Sequence, residues 1–310
     1  MKKITAAILL LFTANALFAQ TPCRVYKQSA SIVLNGVHDK EISGLAVSHI
    51  ILNHCYNILI KNCKIGPDTV RGIQLERCAN IHIDSCYWSD VRAGVYALQS
   101  AGVLITSCQG KNMLYGFPRG GQFVQFNEVT GARNGVLHCR FENILGQSNP
   151  EDAISMYKSS GTPASPILVE GNWIRGGGPS KSGGGIMLGD NGGNYQIARD
   201  NILVNPGQYG MAISGGHHIE ILNNKIYSKQ QPFTNVGVYI WAQAGATCSL
   251  NTISGNRVNW KMASGEINNS WNNGNCGVVK GWPNNILNAD IDESILPTQL
   301  ITFCETKTNN

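Results

Sequence analysis

Adjacent carboxylates at Glu151 and Asp152 are followed closely by Tyr157, Lys158 and Ser159, so acids, a phenol, an amine and a hydroxyl share one short segment. A Gly-rich loop then carries Arg175 and Lys181, and Asp190-Asn191-Gly192-Gly193 closes the stretch. Hydrolysis of a glycosidic bond wants two carboxyl groups across a cleft, and Asp152 with Asp190 supplies such a pair if successive repeats stack. His217 and His218, after Gly215-Gly216, titrate near neutral pH and are candidates for a proton relay or a sugar contact. Tyr239 and Trp241 alternate with Val238 and Ile240, which turns both rings to one outward face and suits stacking on a sugar. Plainer readings stand beside these. Lys158 is equally a corner lysine paired with Asp152, Glu151-Asp152 a turn cap, Asp190-Asn191-Gly192-Gly193 a turn, and the two rings a seat for a C-terminal tail.

What must position these residues is a repeat. Cys55-Tyr56-Asn57-Ile58-Leu59-Ile60-Lys61-Asn62-Cys63 aligns with Cys78-Ala79-Asn80-Ile81-His82-Ile83-Asp84-Ser85-Cys86 at an offset of 23 residues, inside the range of solenoids. Ala101 to Cys108 repeats the second half of that unit, and Ile167 to Ile174, His218 to Ile226 and Asn251 to Val258 are later copies. A second strand opens each turn, as in Gly72-Ile73-Gln74-Leu75, Gly94-Val95-Tyr96-Ala97 and Gly237-Val238-Tyr239-Ile240. Strands this short bury one face only by stacking on the next rung, so the chain reads as all-β, a single-stranded parallel β-helix. A sandwich of hairpins predicts tight Asn-Gly or Asp-Gly turns and no offset repeat. The usual crossover preference makes the helix right-handed.

Composition agrees. Charged residues are only 14% and glycines number 35, which favours many turns over helices. Lys2 and Lys3, the apolar run Ile8 to Phe12 and the small residues ending at Ala19 predict a cleaved signal peptide over 1–19, hence a secreted or periplasmic protein. Without Lys2 and Lys3, 22 basic residues face 19 acidic ones, a net charge of +3 with no basic run, so no nucleic-acid partner is expected. No later apolar run is long enough to span a bilayer, so no membrane partner is expected either, and a monomer is. The predicted division is a β-helix over 20–260 and an irregular cap over 261–310, needed because terminal rungs leave open edges.

Of ten cysteines, Cys63, Cys86, Cys108 and Cys139 share one repeat position and Cys55 and Cys78 another. Stacked about 4.8 Å apart, they are either buried free thiols or disulfides. Cys248 and Cys276 lie outside the regular ladder and are the expected true pair. No CxxC spacing points to a metal.

The repeat pattern resembles the pectate-lyase-like β-helices. Within it, Glu151-Asp152 followed by Tyr157-Lys158-Ser159 resembles the acidic pair and Lys-Ser of the chondroitinase B and alginate lyase family. That resemblance implies calcium held by Glu151 and Asp152, and Lys158 as the base of β-elimination. The acids here are adjacent rather than one position apart, and the family's arginine on the next rung has no counterpart in Ile186-Met187-Leu188-Gly189-Asp190. Elimination from a uronic acid needs its carboxylate neutralised, a proton removed and the leaving oxygen protonated. Arg175, Lys181 or calcium would serve the first need, and Tyr157, His217 or His218 the last.

The expected partner is therefore an acidic polysaccharide or oligosaccharide, cleaved by a lyase. A glycoside hydrolase or a noncatalytic carbohydrate-binding protein on the same scaffold is the alternative. Rungs before about residue 110 read as scaffold, and those from Asn149 to Trp241 as the working face.

Overall fold

Each turn of the chain lays down three short strands, and every strand pairs in parallel with its counterpart one turn later. The computed structural model describes residues 24–116, 120–243, 245–301 and 303. The signal segment expected at 1–19, with Cys23 and Cys304, lies outside the described residues. All but Arg24, Val25 and Phe303 of those described fall in one compact unit, Tyr26–Thr302.

Three ladders result. The first has eleven strands, from Lys27–Gln28 through Tyr87–Val91 and Trp173–Arg175 to Ile286–Leu287. The second runs from Ile32–Asn35 through Ile73–Glu76, Val95–Leu98, Val124–Asn127, Ile154–Ser160, Tyr209–Ile213 and Val236–Ile240 to Ser270–Asn272. The third runs from His38–Ser43 through Ala79–Asp84 and Ile167–Glu170 to Gly216–Leu222 and Thr252–Ser254. The 14-residue strand Ile186–Arg199 bends through the corner between the second and third ladders and pairs in both. The all-β, right-handed parallel β-helix expected from the repeat is the fold observed.

Period-two alternation supplies the core. Ile60, Ile83, Ile105, Val136, Val169, Ala198, Ile221 and Ile253 stand in register on successive rungs of the third ladder, all fully buried. Burying each of the larger aliphatics contributes about 1.5–3 kcal/mol, so the column outweighs the conformational cost of a short strand only when rungs are stacked.

The corner after each third-ladder strand carries a second column. Asn62, Ser85, Ser107, His138, Asp200 and Asn223 there have φ between 50° and 57°, a left-handed bend that aims the following residue inward. That following residue is Cys63, Cys86, Cys108 or Cys139 in the early rungs and Asn172, Asn201, Asn224, Asn256 or, on the last turn, Asn285 later. Oδ1 of Asn172, Asn201 and Asn224 accepts the backbone N–H of the residue one rung before at 2.9 Å, and their Nδ2 atoms donate to Val136, Val169 and Ala198 carbonyls at 2.8–3.1 Å. The thiols do the same job more weakly, Cys86 Sγ reaching the Ile60 carbonyl at 3.6 Å while accepting from the Cys63 N–H at 3.5 Å. All six repeat cysteines are free and buried, and Cys248 pairs with Cys276.

Ladder pairing extends past the expected boundary at residue 260. Trp271 pairs with Tyr239 on the second ladder and Leu287 with Val258 on the first. Long polar connections between these short strands hide their spacing in the sequence. Only then does the chain turn back along the first ladder, where buried Glu142 accepts the N–H groups of Leu300 at 3.0 Å and Ile301 at 3.4 Å.

Candidate active site

Outward side chains of the second ladder make two parallel columns. One reads Gln74, Tyr96, Gln125, Ser155, Met187, Ala212, Tyr239 and Trp271 in register, the other Glu76, Leu98, Asn127, Tyr157 and Asp190. Asp190 joins its column because the ladder bulges between Ser155 and Tyr157, inserting Gly189 and re-aiming the next side chain outward. Over these columns lies an open cleft of about 420 Å³. Arg71, Arg92 and Tyr96 line its N-terminal end, and Glu151, Asp152, Ser155, Tyr157 and Asp190 the other.

Asp152 sits at the corner before its strand and is nearly buried. Its Oδ1 accepts from the Tyr209 hydroxyl and from the Gly184 N–H at 3.0 Å. Burial pushes its pKa up to about 7; those two hydrogen bonds oppose the rise, and the Glu151 and Asp190 charges add to it. Asp190 is raised as well, chiefly by burial, against a 3.4 Å hydrogen bond from Ser155 Oγ. Glu151 is held differently, its two oxygens accepting from Ser180 Oγ at 2.9 Å and Ser182 Oγ at 2.7 Å. Arg71 lies 3.6 Å from the Tyr96 ring centroid and donates to Gln74 at 3.1 Å, and burial lowers its pKa. The arrangement joins a carboxyl that stays protonated to near neutral pH, a second carboxyl beside it, and cations at the far end.

Four of the residues singled out in the sequence, Glu151, Asp152, Tyr157 and Asp190, thus meet in one cleft. The others stand apart from its lining. Lys158 is an exposed corner residue with φ 47°, its ammonium 5.3 Å from the Tyr157 ring centroid. Lys181 is exposed on the loop whose serines hold Glu151. His217 and His218 begin a third-ladder strand, their Nδ1 atoms 3.1 Å apart, with Tyr195 stacked on His218. The place expected for Arg175, facing a bound carboxylate, is corrected: it belongs to the first ladder and donates to the carbonyls of Glu293 at 2.6 Å and Leu296 at 2.7 Å. Tyr239 does point away from the helix core, but Tyr209 and Met187 cover it, while Trp241 remains exposed just beyond the strand end.

The sequence does not single out Arg71, Arg92 and Tyr96, which lie on the rungs before about residue 110 that read as scaffold, nor Gln125 and Asn127 in the cleft or Tyr209 behind Asp152. The available signal was the outward position itself, since polar and aromatic residues there recur across neighbouring rungs. Calcium does not fit the residues present. Both carboxylates of the acidic pair are turned to protein donors, and among the described residues no group of three or more acidic, histidine or cysteine side chains could hold a metal.

No curated protein matches the chain. Among solved structures it is similar to the catalytic domain of a GH87 alpha-1,3-glucanase in complex with tetrasaccharides, with TM-score 0.51 and 11% identity over 79% of this chain. The chain spans 54% of that domain. It is also similar to a tailspike protein of E. coli bacteriophage HK620 in complex with pentasaccharide, with TM-score 0.42 and 9% identity over 80% of this chain and 57% of that one. The family described as a right-handed beta helix region matches residues 23–202, more than half of the sequence. With three parallel ladders wound around one core, the chain belongs to the right-handed β-helix family.

Proposed function

We propose that the protein is an exported glycoside hydrolase acting on an acidic polysaccharide. The observation that carries this reading is the buried carboxyl of Asp152, raised to about 7, in an open cleft with Asp190. In this reading Asp152 protonates the departing glycosidic oxygen, and the Asp190 carboxylate takes the proton of the water that bonds to the anomeric carbon. Arg71 and Arg92 at the cleft's N-terminal end suit a sugar carboxylate, which guanidinium groups bind through paired hydrogen bonds. The glucanase catalytic domain of similar fold, seen in complex with tetrasaccharides, supports a carbohydrate ligand for such a cleft.

A second reading, β-elimination, is favoured by the same arginines together with Tyr157 in the cleft and Lys158, outside the lining, with its ammonium 5.3 Å from the Tyr157 ring centroid. The two are separated by product. Uronic-acid polymers and alpha-1,3-glucan are incubated with the protein, and reducing ends and near-ultraviolet absorbance are followed together. Hydrolysis releases reducing ends without new absorbance, and Asp152→Asn or Asp190→Asn lowers kcat by roughly 10²–10⁴-fold. An unsaturated product that disappears in Lys158→Ala establishes the lyase instead.

A further inference from the structure

Aromatic packing leads away from the carboxylates along the second ladder. Tyr209, which donates to Asp152, meets Tyr239 edge-on at 5.3 Å between centroids. Tyr239 meets Trp271 at 6.3 Å, and Trp271 meets Trp241 at 5.6 Å with the rings inclined at 68°. Exposure changes abruptly along this chain. Tyr209 and Tyr239 are covered, whereas Trp241 and Trp271 are 39% and 43% exposed.

We infer that Trp241 and Trp271 form a distal subsite for an uncharged sugar ring of the same saccharide chain whose scissile bond lies over Asp152 and Asp190; this rests on the carbohydrate-active reading above. One indole presents a face and the other stands across it, a two-walled corner suited to the faces and edges of a pyranose rather than to a flat partner surface. The polar residues next to the indoles in sequence, Gln243, Asn272 and Asn275, are amides rather than charged groups, in keeping with an uncharged ring. It is also preorganised. Asn275 bonds both the N–H and the carbonyl of Ala242 at 3.0 Å, and Cys276, next in sequence, is tied to Cys248. A ligand therefore meets walls already ordered, which spares it their conformational cost.

Register fixes the distance. Trp271 lies three rungs beyond Met187, on the rung of Asp190, which at strand spacing is about 14 Å along the axis, and one rung further from Asp152. The arginines line the N-terminal end of the cleft and the indoles lie beyond its other end on the same ladder, so the proposed saccharide path has a direction. A bound polysaccharide would place its anionic residue toward Arg71 and Arg92 and an uncharged one toward the indoles. A disaccharide held over Asp152 does not reach them, and a longer oligosaccharide does.

The test measures binding without turnover, in the Asp152→Asn background, by calorimetry and by tryptophan emission. The probes are disaccharides and hexasaccharides of polygalacturonate, alginate, chondroitin and alpha-1,3-glucan. For the hexasaccharide that binds, Trp271→Ala is expected to raise Kd roughly tenfold, the loss of one aromatic anchor, with the disaccharide unaffected and Trp271→Phe restoring most of the affinity. Equal hexasaccharide affinity in Trp271→Ala overturns the inference, as does an equal loss for the disaccharide, or failure of every probe to bind. Length-dependent binding through Trp271 in a protein whose wild type cleaves nothing supports the subsite while removing the hydrolase reading.

Discussion

The hydroxyl of Tyr209 donates to Oδ1 of Asp152 across 57 residues of sequence and two turns of the helix. The bond stabilises the carboxylate form, so it works against the burial that raises the Asp152 pKa. Tyr209→Phe removes that donor and leaves Gly184 N–H alone. The expected outcome is a further upward shift of the Asp152 pKa, read as an alkaline limb of the pH–activity profile moved to higher pH. The fold should lose about 0.5–1.5 kcal/mol, the net worth of one buried hydrogen bond, measured by denaturant unfolding.

Asp152 also makes folding pH-dependent, with a definite sign. Below about pH 4 its carboxyl is protonated in both folded and unfolded chains. As pH rises from there toward 7 only the unfolded chain ionises, so this residue's contribution to stability falls; above 7 both ionise and the penalty is constant. The full penalty is roughly 4 kcal/mol, and Asp152→Asn should remove it. Urea unfolding of both proteins between pH 4 and 8 checks this: the variant gains on the wild type with rising pH, and parallel curves refute the shift.

Asn201 accepts two hydrogen bonds from Asn172 and donates to the Val169 carbonyl and to Asn224, all within the core. Asn201→Ala leaves those partners unsatisfied, at about 3–5 kcal/mol. Asn201→Cys places there the residue that occupies the same column at Cys139, and should cost less than Asn201→Ala. Thermal unfolding of the two variants orders them, and equal losses would show that the column packs rather than bonds.

Arg175 holds the carbonyls of Glu293 and Leu296 rather than a ligand. Arg175→Ala should therefore free the segment around residues 292–301 to protease while leaving saccharide affinity unchanged. Limited proteolysis with mass determination reads the first effect and calorimetry the second. Lost affinity with an undisturbed tail would return Arg175 to the binding site.

How much of this was legible beforehand follows from the kind of information each feature needs. The inward column from Ile60 to Ile253 and the cysteine positions could be read from the sequence alone, because a strand's period of two and a repeat near 23 residues are local properties. The same local pattern marked Glu151, Asp152 and Asp190 as departures from a regular rung. It could not assign Arg71 and Arg92 to their cleft, since nothing local to either residue says which later loop will stack beside its rung. Nor could it separate Arg175 from them; all three are arginines near rung corners, and only the path of the returning tail along the first ladder decides that Arg175 meets carbonyls. The burial that raises Asp152, and the Tyr209 hydroxyl that tempers it, exist only once three successive turns have closed over one another. Sequence alone determined the stacked rungs and inward faces of this protein, because hydrophobic periodicity and repeat length are written along the chain. Tertiary structure decided which outward residues meet, because stacking brings together side chains that the sequence holds tens of residues apart.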